Sequence, residues 1–250
     1  MTGIERDGHL AIRQENVDAL ERLVEFLVNE LVHTRLKWRV YRAFYGTNNE
    51  RVELLNGVSG TTAGIIQDAL YDDVILSLCR SADAARSAGK SNNSFASLLS
   101  FLDDVPFKKD LSGRIKVFQG LCRPLRDRRN WHVAHSDREA TFSETQMGGV
   151  SRSDVEACIE VARSTLVVVY SAVFNTQIST ELVSGHNDDE VAFLRTIYHG
   201  RERLAAIEVE ALSMVALPAD SRRTPPEIRA LRELHEKPEW LNYRPPPRHD

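Results

Sequence analysis

The stretch Leu125–Asp137, LRDRRNWHVAHSD, brings three arginines, two histidines and two aspartates together in a chain whose formal net charge is −4. Arg123 lies just upstream, and Asn130 follows Arg129 directly. An arginine can hold a phosphate and steady charge that builds on it, and a histidine can move a proton near neutral pH. Set close together, the two residue types suggest cleavage of RNA without a metal. On an ideal helix, which turns by roughly 100° per residue, Arg128, His132 and His135 share one face, as do Arg129, His132 and Ser136. Arg129 and His135 stand well apart on such a helix unless the turn around Ala134 loosens. Trp131, Val133 and Ala134 offer apolar anchors, and Asp127 and Asp137 can orient an imidazole or pair with an arginine.

The elements that must position these side chains read as helices. Val17, Leu20, Val24, Leu27 and Leu31 recur in steps of three and four, and Trp38, Tyr41 and Tyr45 continue the register, with Thr34 the one polar break. That spacing puts an apolar seam along one long helix, ended by GTNN at Gly46–Asn49. A second helix is predicted from about Thr61 to Ala88. Its face is Ile66, Leu70, Val74, Leu78 and Ala82, widened by Ile65, Ala69, Ile75 and Cys79, with Gly89 closing it. A short helix from about Phe95 to Leu102 follows, capped by Ser94 or Asn93 and stopped by Asp103, Asp104 and Pro106.

The next helical stretch runs from about Lys108 to the histidines. Pro124 either kinks it or sits in the first turn of a new helix. Arg138–Gly149 reads as a polar loop. Ser153 is expected to cap a further helix with Val155, Cys158, Ala162, Leu166, Val169 and Val173 facing inward. The run TLVVVYSAVF within it has strand-like composition, but its length and the period leading into it decide for helix. After Ser184 the link GHNDDE precedes a helix from about Asp189 to Leu212, expected to bury Val191, Leu194, Ile197, Tyr198, Leu204, Ile207 and Val209. A Pro- and Arg-rich tail follows. The expected organisation is an all-α bundle over residues 10–184 and a helical extension over 185–250.

Composition narrows the function. The apolar share of 42% is ample for a core. The acidic balance confines any nucleic-acid contact to a local patch, for which Arg123, Arg126, Arg128, Arg129 and His132 are the candidates. Cys79, Cys122 and Cys158 are odd in number and far apart, which fits reduced, buried thiols. No basic-then-apolar leader is evident, and no apolar run reads as long enough to cross a bilayer, so a cytoplasmic protein with no membrane partner is expected.

Ala84–Ser91, AARSAGKS, satisfies a relaxed phosphate-loop pattern, but that chemistry needs a loop between a buried strand and a helix, and no parallel sheet is available. His132 and His135, one turn apart, could serve as two metal ligands, but a third is not evident, so no metal and no cofactor are expected. The mixed arginines and aspartates also fit a solvated face with weak ion pairs, and His132 fits a half-buried histidine with one satisfied hydrogen bond.

Arg129, Asn130 and His135 resemble the R-x(4–6)-H signature of the HEPN superfamily, in which a polar residue often follows the arginine. Arg128 also falls within the permitted window. Leu76–Arg80 (LSLCR), Asp83 and the following NNSFASLL are similar to the abortive-infection-associated, AbiU-type branch, as is AHSD ending at Asp137. The resemblance covers roughly Leu20 to Ile178. It implies a compact HEPN-like helical bundle and a metal-independent endoribonuclease acting in phage defence or as a toxin. It also implies a homodimer whose cleft holds an arginine–histidine pair from each protomer. In that scheme His135 helps take the 2′-hydroxyl proton, Arg129 aided by Arg128 steadies the phosphate, and Asn130 holds the backbone. RNA is the expected partner, with an antitoxin or regulatory protein as a possible second one. The competing class is a non-catalytic HEPN-like module that dimerises and binds RNA or a partner protein.

Overall fold

In a computed structural model of the chain, the structure describes residues 14–103, 105–130, 149–182 and 189–215. Seven helices make up nearly all of this: α1 Gln14–Tyr45, α2 Asn49–Ser81, α3 Phe95–Leu98, α4 Val105–Leu121, α5 Arg123–Arg128, α6 Arg152–Phe174 and α7 Glu190–Val215. The fold is an all-α bundle. The described strands are β1 Arg86–Ser87 and β2 Lys90–Ser91, which pair antiparallel.

The seam predicted on α1 is the spine of the core. Leu20, Val24, Leu27, Leu31, Trp38, Tyr41 and Tyr45 are all buried. Thr34 is buried with them, and its hydroxyl donates to the Glu30 carbonyl at 2.7 Å, so the polar break leaves no unsatisfied group. On α6 the whole predicted inward set, Val155 to Val173, is buried, and TLVVVYSAVF is helical.

The expectation that no stretch could cross a bilayer needs correction. The 23 residues of α6 are long and apolar enough, with a mean hydropathy of 1.6 over the best window. In the bundle α6 packs between α1 and α4, and this contact is where its apolar face goes.

Several boundaries also differ from expectation. Helix α2 begins at Asn49, capped by Asn48, whose side chain accepts from the Arg51 amide at 3.1 Å. It bends at Ser59, whose φ of −165° and ψ of 99° leave helical geometry. It ends at Ser81, well before Ala88. Gly89 does not close the helix; at φ 77° it turns the β1–β2 hairpin beside Ala88 at φ 47°. A two-residue turn with both φ positive matches strand twist, and Asn92 braces it by donating to the Ala84 carbonyl at 2.7 Å. AARSAGKS is therefore an exposed hairpin rather than a phosphate-binding loop.

Pro124 sits in the first turn of the separate helix α5, as the second of the two alternatives had it. The cap of α6 is Ser151, not Ser153. Ser151 Oγ accepts from the Asp154 amide at 3.1 Å, and Asp154 accepts from the Ser151 amide at 2.8 Å. Serine followed three residues on by an acid is the reciprocal pattern that satisfies two orphan donors of a first turn.

Helix α7 packs by its N-terminal half on α1 and α2. Phe193 stacks on Phe44 with ring centroids 5.3 Å apart, and Glu190 receives the Arg39 guanidinium at 2.7 Å. Of the residues expected to be buried on this helix, Leu194 is; Val191, Tyr198, Leu204 and Val209 are exposed. The outer face of α2 departs in the same way, with Ile65 and Ile66 exposed.

Candidate functional site

Helix α5 carries the arginines, and α2 supplies what they touch. Asp72, Ile75, Cys79 and Asp83 follow one another by three or four residues along α2 and just past its end, so they form one stripe. Ile75 and Cys79 are fully buried, which draws the flanking carboxylates toward the α2–α5 contact. Carboxylates in that position need cationic partners, and α5 provides them from both sides.

Arg128 is bound at the Asp72 end. Its Nη2 and Nε donate to one Asp72 oxygen at 2.9 and 3.3 Å. The guanidinium also lies over the Tyr71 ring, 5.0 Å from its centroid. Tyr71 in turn packs on Tyr41, with centroids 5.2 Å apart, and Tyr41 stacks on Trp38 at 5.0 Å. The aromatic end of the α1 seam is therefore continuous with the first arginine of the motif. The Tyr71 hydroxyl donates to the Val150 carbonyl at 2.5 Å. Burial holds this hydroxyl above the usual phenol range, against the opposing pull of Arg128, so it stays a donor at neutral pH. Tyr71 and Asp72 thus tie down Arg128 and Val150, on the two sides of the interval from Arg129 to Gly149.

Arg129 is held differently. Its Nη1 lies 3.8 Å from an Asp83 oxygen, and Nη2 and Nε donate to Asn130 Oδ1 at 3.2 and 3.3 Å. Asp83 is shared, since Arg126 approaches the same oxygen at 3.8 Å. Arg126 also donates to the Ala82 carbonyl at 2.5 Å, where Gln119 donates as well at 3.1 Å, closing the end of α2. Arg129 closes α5 with helical backbone angles, φ −54° and ψ −47°.

The predicted residues therefore separate. Arg126 and Arg128 are committed to protein partners. Arg129, about a quarter exposed like the other two, differs in being only loosely engaged, with the exposed Asn130 at its side. Arg123 is exposed in the first turn of α5. His132 and His135 lie outside the described residues. Asp72 and Tyr71 were not anticipated from sequence. Their signal was an acid in register with the buried Ile75 and Cys79. Asp83 was visible only as part of a family-like block.

Beneath the arginines lie the three cysteines, free and buried. Cys122 Sγ is 3.6 Å from Cys158 Sγ. Burial pushes the Cys79 thiol up to about 11, and Cys122 is raised further, first by its bond to Cys158 and then by burial. Protonated thiols react slowly. Brief alkylation of the native protein at pH 8 should label none of the three, while alkylation in denaturant labels all; native labelling of Cys122 would contradict this packing. Among the described residues no group of three or more His, Cys, Asp or Glu side chains gathers as a metal site would need.

The model of the HEPN-type AbiU2 family matches residues 18–194 of this chain. The chain belongs to that family. The match covers the helical bundle, both arginine-binding sites on α2 and the first turn of α7. It carries an abortive-infection-related HEPN domain over those residues. No curated protein and no solved structure is matched.

Proposed function

We propose that this chain is a metal-independent endoribonuclease that serves as a phage-defence or toxin-type effector. It cuts RNA at a cleft between two protomers. The observation that carries this reading is the state of Arg129: a guanidinium beside Asn130, partly exposed, and held by a carboxylate at 3.8 Å rather than by a close bidentate pair. A phosphate group can displace such a contact, because charge-assisted bonds to phosphate are shorter and stronger.

The reaction balances without a metal. The ribose 2′-oxygen attacks the adjacent phosphorus as its proton passes to His135. The bond from phosphorus to the 5′-oxygen breaks, and that oxygen takes up a proton. The products are a 2′,3′-cyclic phosphate and a 5′-hydroxyl. Arg129 stabilises the charge on the phosphoryl oxygens in the transition state. The protein acts in the cytoplasm, and an antitoxin or regulatory partner restrains it.

The second reading is a non-catalytic module that dimerises and binds RNA or a partner protein. The commitment of Arg126 and Arg128 to structural contacts favours it. Incubating the purified protein with RNA in the presence of a chelator separates the two. Fragments ending in a cyclic phosphate are expected, at an undiminished rate. Activity abolished by chelation and restored by one divalent ion would end the metal-free mechanism, and intact RNA that is nevertheless bound would favour the module.

A further inference from the structure

A cavity of about 490 Å³ opens between α1 and the segment that runs from the hairpin into α3. Arg22 and Phe26 line it from α1; Arg86, Asn92, Asn93 and Phe101 line it from the other side. A second cavity of about 340 Å³ shares Phe26, Asn92 and Asn93 with the first and continues to Arg80 and Asp83. Asp83 is the carboxylate beside Arg126 and Arg129. The two cavities therefore adjoin at these shared residues as one groove, whose far end reaches Asp83, the carboxylate next to the loosely held arginine.

The chemistry of the groove is that of a single-stranded nucleic-acid track. Arg22 and Arg86 are exposed, and among the described residues neither has an acidic partner. The carboxylates within the groove, Glu30 and Asp83, are each matched, Glu30 by Arg80 at 3.7 Å and Asp83 by Arg126 and Arg129. Phe26 leaves 41% of its surface in solvent, and it is the one exposed large apolar side chain among the described residues of α1. A ring presented beside unpaired arginines suits a stacked base between phosphates. Asn93 is exposed at the rim and can bond a base edge or a ribose hydroxyl. Asn92 is not free for this, since its amide is spent on the hairpin at Ala84 and Ser87.

We propose that this groove is a binding subsite for the single-stranded RNA that flanks the scissile phosphate. Arg22 and Arg86 contact phosphates, and Phe26 stacks on a base. The proposal rests on the ribonuclease reading for the identity of the ligand. In the full chain, Asp83 joins the groove to Arg129, so the RNA that fills the groove leads directly to the arginine that meets the reacting phosphate.

The test is binding of a short, fully 2′-O-methylated RNA oligonucleotide, which cannot be cut because its attacking hydroxyls are blocked. Phe26→Ala should weaken binding about 5- to 150-fold, and Phe26→Trp should restore it. The double variant Arg22→Ser/Arg86→Ser should weaken binding and lower the slope of log affinity against log salt by about 0.7 for each lost phosphate contact. Photocrosslinking with 5-iodouracil in the oligonucleotide should map to the peptide containing Phe26. Thermal midpoints should match wild type, since all three side chains are exposed. Unchanged affinity in every variant, or crosslinks confined to other surfaces, would overturn the proposal. An RNA that binds and crosslinks here but is never cut in its unmethylated form leaves the subsite standing and removes the cleavage reading. Normal cleavage by the groove variants, with normal KM, removes the subsite and leaves the cleavage reading.

Discussion

Arg129→Ala should lower the rate of RNA cleavage by about 10²–10³, the usual effect of deleting one preorganised donor to a transition-state oxyanion. Its thermal midpoint should hardly move, because the ion pair it loses is a 3.8 Å contact at a partly exposed site, worth about 0.2–1 kcal/mol at most. Arg128→Ala should behave in the opposite way. It removes two hydrogen bonds to Asp72 and the cation–π contact to Tyr71, and leaves a half-buried carboxylate without its partner. A loss of about 1–2 kcal/mol is expected from these terms. That corresponds to a fall of roughly 2–8 °C in Tm for a chain of this size. Asp72→Asn should share the stability loss, and the pair should be non-additive in a double-mutant cycle, since the two residues form one contact. The measurements are single-turnover cleavage and thermal unfolding on the same preparations. Equal rate losses for Arg128→Ala and Arg129→Ala, with equal stability, would show that the division between a structural and a phosphate-holding arginine is wrong.

That division illustrates what the sequence could and could not disclose. The residue types in RDRRN are legible at once, yet nothing local separates Arg128 from Arg129. The distinction comes from Asp72 and Asp83, which lie 56 and 46 residues upstream of their partners and reach them only because α2 and α5 are packed together. The helical period served well where it ran unbroken, as in the α1 seam and the inward face of α6. It failed where the backbone left it. Val52, Leu54 and Leu55 belong to α2, but the bend at Ser59 breaks their phase from Val74 and Ile75, so the first part of the helix was hidden. Glycine at position 89 signalled a positive φ correctly. What it could not signal is that Ala88 also adopts one, which turns a helix stop into a hairpin. Ser151 and Ser153 are equally plausible caps by type, and each has an acid three residues on, Asp154 and Glu156, so nothing in the local pattern separates them; the helix start at Arg152 does. The exposure of Ile65, Ile66 and Val209 escaped prediction for a different reason. Apolar residues at helical spacing indicate a face, but not whether this chain itself covers it.

His135→Ala should reduce cleavage by about 10²–10⁴, the range for losing a positioned proton-transfer group. The chemistry also fixes the sign of the pH dependence. To accept the 2′-hydroxyl proton the imidazole must be neutral, so the wild-type rate should rise with pH from the acidic side and then level off. The variant should lose that rise along with the rate, whereas a histidine with a purely structural role would leave the profile's shape unchanged. His132→Ala, which removes a candidate RNA contact and not the base, should raise KM more than it lowers kcat. Expressed in a host, wild type should slow growth and degrade total RNA, while His135→Ala should be tolerated at the same protein level. The two variants differ from wild type by one imidazole each, so folding can be checked by comparing their melting curves. Cleavage at the wild-type rate by folded His135→Ala would remove the catalytic reading. A collapse of its melting transition would instead make His135 a packing residue and favour the dimerising, RNA-binding module.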